Sequence, residues 1–155
     1  MGFQYKKQMP SAQHLKELIP VTPAMAKRRR ARMDALERIL SGGDSRLLLI
    51  IGPCSADSEE AVLDYITKLA AIQEAVSDRI FIVPRVYTNK PRTTGEGYKG
   101  MMHQPDPAEA PDAFAGIKAI RRMHLRVLAE TDFVAADEML YPDTVSYTHL
   151  RAHET

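Results

Sequence analysis

The sequence has little of what would take it out of a reducing, aqueous compartment. Its 155 residues include one cysteine, Cys54, so no internal disulfide can form. The longest unbroken aliphatic run, Leu47 to Ile51, is far short of the ~20 residues that span a bilayer. Residues Met1 to Pro10 lack the basic-then-apolar layout of a secretory leader, and Lys6 stands where an N-myristoylation motif requires Ser or Thr. An excess of charge of either sign is also missing. Lys and Arg number 21 against 20 Asp and Glu, and the formal +1 gives no global field that would select nucleic acid or membrane. No internal repeat or low-complexity tract interrupts the chain. The expected protein is soluble, cytoplasmic and globular, with an apolar fraction of 45%, enough for a core at the length of one ordinary domain.

Two short apolar runs stand out against this background. Leu47 to Ile51 ends in Gly52-Pro53-Cys54-Ser55, and Ile80 to Val83 continues through Pro84-Arg85-Val86-Tyr87 towards Lys90-Pro91-Arg92-Thr93-Thr94. An apolar run that breaks into ion-binding residues is how a buried parallel strand delivers chemistry at its carboxyl end. Between them, Asp57-Ser58-Glu59-Glu60 has the spacing of a capping box, and Val62, Ile66, Leu69, Ile72 or Gln73, and Val76 recur at helical intervals. Strand, helix, strand is the βαβ unit, which brings both polar ends to one edge of the sheet.

Upstream, Ser11 is placed to cap a short arm. Thr22-Pro23 opens a stronger helix through Met25, Met33, Leu36 and Leu40, stopped by Gly42-Gly43. Downstream, residues 87–112 form a loop longer than the usual ~2–6 residues of a βα connection, and loops of that length are commonly functional. Pro111-Asp112 reopens a helix carrying Phe114, Ile117, Ile120, Val127 and Leu128, and Phe133 to Leu140 reads as a third strand.

Three clusters invite a chemical reading. Arg85, Lys90 and Arg92, with Thr93 and Thr94 beside them, suit an anion with several oxygens; the alternative is a basic surface loop. Pro91 favours the first, because it limits the entropy lost in holding Lys90 and Arg92 in place. Cys54 reads either as a small buried hydrophobe or as a thiolate ligand for a transition metal, for which His103, Asp137 and Glu138 are poor further candidates. Lys27-Arg28-Arg29-Arg30-Ala31-Arg32 reads as a solvated helix face or subunit contact rather than a nucleic-acid patch. The last stretch, Val145 to Thr155, breaks the pattern. His149 and His153 stand four apart without a further ligand, and no apolar stripe follows Tyr141-Pro142-Asp143, so this stretch reads as a read-through or fusion scar.

Gly52-Pro53-Cys54-Ser55, Pro84-Arg85-Val86-Tyr87 and Lys90-Pro91-Arg92-Thr93-Thr94, in this order and separation, resemble the type I, metal-dependent 3-deoxy-D-arabino-heptulosonate-7-phosphate synthases. The resemblance runs from about Ser11 through Leu140 and takes in Ala136-Asp137-Glu138. It implies an α/β fold, the amino-terminal part of a (β/α)8 TIM barrel preceded by a helical extension. The expected division is an extension over residues 1–45, the first βα units of an incomplete barrel over 46–143, and a non-native tail over 144–155. It implies condensation of phosphoenolpyruvate with erythrose 4-phosphate, the first step towards chorismate and the aromatic amino acids.

By the same resemblance Cys54 matches a metal-binding cysteine for a divalent ion (Mn, Fe, Co or Zn). Arg85 and Lys90 match contacts to phosphoenolpyruvate, and Arg92 and Thr93 match contacts to the phosphate of erythrose 4-phosphate. Glu138 falls where the family has a glutamate near the phosphoenolpyruvate site. The arm matches an extension used for subunit contacts and, in some members, for inhibition by an aromatic amino acid, so the parent is expected to be a homo-oligomer. The loop Thr94 to Gly100 departs from the common Gly-Trp-Lys-Gly form by an extra residue and by Tyr98. The other metal ligands and further phosphate-binding side chains of the family come from later strands. A closed barrel takes about 250 residues, so this chain is expected to be inactive by itself. The competing readings are another phosphoenolpyruvate-condensing sugar-acid synthase, or a non-enzymatic anion- or nucleic-acid-binding module built on Lys27 to Arg32 and the Lys90 loop.

Overall fold

The computed structural model describes residues 9–89, 97, 98 and 100–138. Four helices and three strands follow in the order α1 (Ala12–Leu18), α2 (Pro23–Leu40), β1 (Leu47–Ile51), α3 (Glu59–Val76), β2 (Ile80–Val86), α4 (Ala113–Thr131) and β3 (Ala136–Asp137). Each helix opens on a side chain that accepts an amide hydrogen otherwise left unpaired. Ser11 accepts from His14 at 3.1 Å, Thr22 from Met25 at 3.2 Å with Pro23 just inside the helix, and Asp112 from Phe114 and Ala115 at 2.9 and 3.1 Å. The expected capping box of α3 is not formed. Ser58, not Asp57, is the cap and accepts from Ala61 at 3.3 Å, which leaves Glu60 one position short of reaching back. Glu60 accepts from Arg126 of α4 instead, at 2.6 Å.

The strands form one parallel sheet in the order β1-β2-β3, with Leu47 opposite Ile80 and Ile51 opposite Pro84. Strand alternation sends β2 side chains to two cores. Ile82 and Val86 join Val62, Ile66, Leu69, Ile120, Met123 and Val127 beneath α3 and α4, whereas Phe81 and Val83 meet Ala35, Leu36 and Ile39 of α2. Of the apolar positions expected for α3, Ile72 points outward at 52% exposure and Gln73 turns inward. Among the described residues no helix is long and apolar enough to cross a membrane.

The third strand is shorter than the expected run from Phe133. Only Ala136 and Asp137 pair, opposite Arg85 and Val86, and residues 139 and 140 lie outside the described residues. Among the described residues the first half of β2 therefore has no strand on that side, and its polar groups are met by side chains. The Gln73 amide donates to the Ile80 carbonyl at 2.8 Å and accepts from the Ile82 amide at 2.7 Å, a side-chain substitute for a ladder. Arg32 donates to the Ile82 carbonyl at 2.8 Å. Since the Ile82 amide faces away from β1, the missing N–H of Pro84, two residues on, removes nothing from the β1–β2 ladder.

Candidate active site at the carboxyl ends of the strands

β1 and β2 run in one direction, so Gly52-Pro53-Cys54 and Arg85-Val86-Tyr87 leave the sheet at the same edge. The approach is close. A Cβ on Gly52 would lie 1.7 Å from the Arg85 carbonyl oxygen, so only glycine lets β1 pass the backbone of β2 here. Just beyond, the Ala56 amide donates to the Tyr87 carbonyl at 3.0 Å and carries the tie into the loops.

Arg85 is held on several sides. Its Nη1 donates to Glu138 Oε1 at 2.6 Å and its Nη2 to the Pro53 carbonyl at 3.1 Å, while the guanidinium carbon lies 5.4 Å from the centre of the Tyr87 ring. Residues 53 apart in sequence thus meet as an ion pair, with the Arg85 side chain 27% and that of Glu138 48% exposed. A charge-assisted pair open to solvent on one side presents a fixed cation to an arriving anion. Cys54, next to the carbonyl that anchors Arg85, is exposed. The Ser55 hydroxyl is buried and finds no hydrogen-bond partner among the described residues. Burial, and after it the charge of Asp57, push the Tyr98 phenol above its ordinary value, so it stays neutral near pH 7.

Of the residues singled out from the sequence, the structure brings together Arg85 and Glu138 and sets Cys54 at the same edge. Lys90, Arg92, Thr93 and Thr94 lie outside the described residues, as do His149, His153 and the whole of 144–155. Among the described residues no group of three His, Cys, Asp or Glu is arranged to hold a metal ion. Asp137, weighed as a ligand, is turned into the protein with its side chain 2% exposed. Its oxygens accept from the Thr88 amide at 3.3 Å and the Thr88 hydroxyl at 2.6 Å, so it is not free to complete a metal shell. The basic run of α2 is not simply a solvated face either. Arg28 donates to the Ala129 carbonyl at 2.7 Å and pairs with Asp132, and Arg32 reaches the sheet, so two of its five cations tie α2 to the body of the protein.

The contacts of Gly52, Tyr87 and Thr88 at this edge were not legible in the sequence, nor was His124 of α4, whose Nε2 lies 3.5 Å from Asp137 Oδ2. A signal existed for Gly52, since glycine at a strand end marks a close backbone approach. Thr88 and His124 carry no pattern of their own.

Parallel strands joined by helices, with polar side chains gathered at their carboxyl ends, define an α/β class of protein. The family described as "DAHP synthetase I family" matches residues 19–149, and this chain belongs to it. It is 32% identical over 140 residues to the phospho-2-dehydro-3-deoxyheptonate aldolase of Corynebacterium glutamicum, covering 90% of this chain and 38% of that protein. It is 36% identical over 133 residues to the Phe-sensitive phospho-2-dehydro-3-deoxyheptonate aldolase of Escherichia coli K12, covering 86% and 37%. The solved structure of the Francisella tularensis phospho-2-dehydro-3-deoxyheptonate aldolase superposes with a TM-score of 0.85 at 27% identity, over 94% of this chain and 42% of that one. The chain therefore spans less than two fifths of the length of these curated relatives. Its fold is α/β, part of a TIM barrel preceded by helices.

Proposed function

We propose that this chain carries the phosphoenolpyruvate-binding edge of a 3-deoxy-D-arabino-heptulosonate-7-phosphate synthase, which joins phosphoenolpyruvate to erythrose 4-phosphate. One observation carries this reading. Arg85, at the carboxyl end of β2, is oriented by a backbone carbonyl from the β1 exit and a carboxylate after β3. Joining two phosphorylated metabolites means holding two anions that repel, and a cation fixed beforehand offsets that repulsion without reorganising during the reaction. Arg85 and Lys90 bind phosphoenolpyruvate, Arg92 and Thr93 take the phosphate of the aldehyde, and Glu138 sets the orientation of Arg85. The extension 1–45 and the barrel units 46–143 are the working division. The Escherichia coli relative is named Phe-sensitive; inhibition by an aromatic amino acid, assembly into a homo-oligomer and a cytoplasmic location belong to the same proposal for this protein.

A divalent ion would take Cys54 as one ligand. The described residues do not complete a site around that thiol.

The test uses the whole reading frame that encodes the chain, expressed in a host deleted of its own synthases. Both substrates are consumed with release of one phosphate per condensation, and Arg85→Gln lowers kcat/KM by at least about a hundredfold. Condensation with other aldehydes but not erythrose 4-phosphate makes the protein a different sugar-acid synthase. Salt-sensitive binding of unrelated DNA that survives Arg85→Gln, with no turnover, makes it a binding module.

A further inference from the structure

Behind the Arg85–Glu138 pair lies a buried polar cluster with no assigned role. Asp137 of β3 points into the protein, where Thr88 (1% exposed) and His124 of α4 (8% exposed) surround its carboxylate. One oxygen, Oδ1, accepts from the Thr88 amide at 3.3 Å and from the amide of Glu138 at 2.7 Å. The other, Oδ2, accepts from the Thr88 hydroxyl at 2.6 Å and lies 3.5 Å from His124 Nε2.

Buried polar groups that serve the fold alone need only be satisfied. This carboxylate is shared with the backbone of the next residue, whose side chain holds Arg85, so the placement of Asp137 and that of Glu138 are linked. Three elements converge on it: the β2 exit through Thr88, β3 through Asp137, and α4 through His124.

We propose that Thr88, Asp137 and His124 are positioning residues that fix Glu138, and through it the Arg85 guanidinium, for the anionic substrate. The claim rests on the phosphoenolpyruvate reading for its ligand but not for its geometry. None of the three touches substrate. Each acts by removing freedom from a charged pair that half-faces water, as hydrogen-bonded outer partners do for groups that bind ligands.

The full-length product of the whole reading frame, labelled with 15N-arginine, reports this directly. In the native chain the Arg85 guanidinium protons should exchange and rotate slowly, as for a paired arginine. In Asp137→Asn and in Thr88→Val, which keep side-chain shape, they should average, and Thr88→Ser should restore them. The Arg126 signals, from ion pairs with Glu59, Glu60 and Glu130 on the α3–α4 face, are the internal control and should not change. Titration with phosphoenolpyruvate should show binding lost in Arg85→Gln and weakened about tenfold in Asp137→Asn and Thr88→Val, with thermal unfolding of Thr88→Val little altered. An Arg85 signal that stays slow in both variants overturns the positioning claim, as does an Arg126 signal that loosens in step with it. A native chain with a slow Arg85 signal but no phosphoenolpyruvate binding overturns the functional reading and leaves the positioning claim standing. Should Asp137→Asn fail to fold, Thr88→Val and Thr88→Ser decide the matter.

Discussion

Arg32 and Arg85 sit at opposite ends of the same sheet, and the same side chain does opposite work at each. Arg32, from α2, lies 4.1 Å over the Phe81 ring and 4.9 Å from that of Phe133, and donates to the Ile82 carbonyl. Burial first, and the nearby Arg46 second, pull its pKa below the ordinary arginine value, yet arginine remains charged across the working range. It faces rings and a carbonyl, so its charge closes the sheet. Arg85 faces a carboxylate and open solvent, so its charge remains available to a ligand. What surrounds a guanidinium, not its presence, decides whether it belongs to the fold or to the site.

The largest effect should come from the carboxyl end of the sheet. Gly52→Ala drives a Cβ into the Arg85 carbonyl, and because both partners are backbone, the ends of β1 and β2 must part. We expect a loss of at least about 3 kcal/mol in denaturant unfolding. Gly42→Ala is the control: its φ of 78° strains an L side chain, but nothing lies within 4 Å, so it should cost only about 1 kcal/mol. Equal losses in the two variants would show that the close approach at Gly52 is not a constraint.

Arg32→Gln sharpens the comparison between the arginines. It leaves the Ile82 carbonyl with a weaker partner and removes the stacked charge, for an expected loss of about 2 kcal/mol. Arg85→Gln breaks a partly exposed pair and should cost under about 1 kcal/mol while abolishing anion binding. A protein that unfolds as readily without Arg85 as without Arg32 would erase the distinction drawn between them.

The smallest effect is a pH dependence at the amino end. Arg46 donates side-chain hydrogen bonds, and then its backbone amide, to Asp44 and holds that carboxyl at about 2, below its ordinary 3.8. Since the folded value is the lower one, the stabilisation is present above the ordinary value and is lost as pH falls through about 2. Acid titration of the native chain should show this loss between roughly pH 4 and pH 2, and Asp44→Asn should lack that component. Identical acid profiles would mean that the pair contributes nothing measurable.

Much of the fold was legible because it rests on local chemistry. Ser11, Thr22-Pro23 and Asp112 cap helices as residues of those types do, and β1 and β2 begin and end close to the limits of their apolar runs. The short β3 was not legible. Phe133 to Leu140 has the composition of a strand, but Gln73 and Arg32 occupy the side of β2 where a longer partner would pair. Of the site, Arg85 was singled out from its cationic cluster and Glu138 through family resemblance, while their contact was invisible because 53 residues separate them. Thr88 and His124 passed unnoticed because a buried threonine and a histidine on a helix have no spacing that marks them.

The order of helices and strands, the direction shared by β1 and β2, and hence the edge at which Cys54 and Arg85 emerge, follow from apolar periodicity and capping, which act over a few residues. The tertiary structure decided which cations serve the fold, which carboxylate meets Arg85, and that Asp137 faces inward. Those outcomes depend on where distant segments pack, since hydrogen bonding and burial are settled only when the partners are side by side.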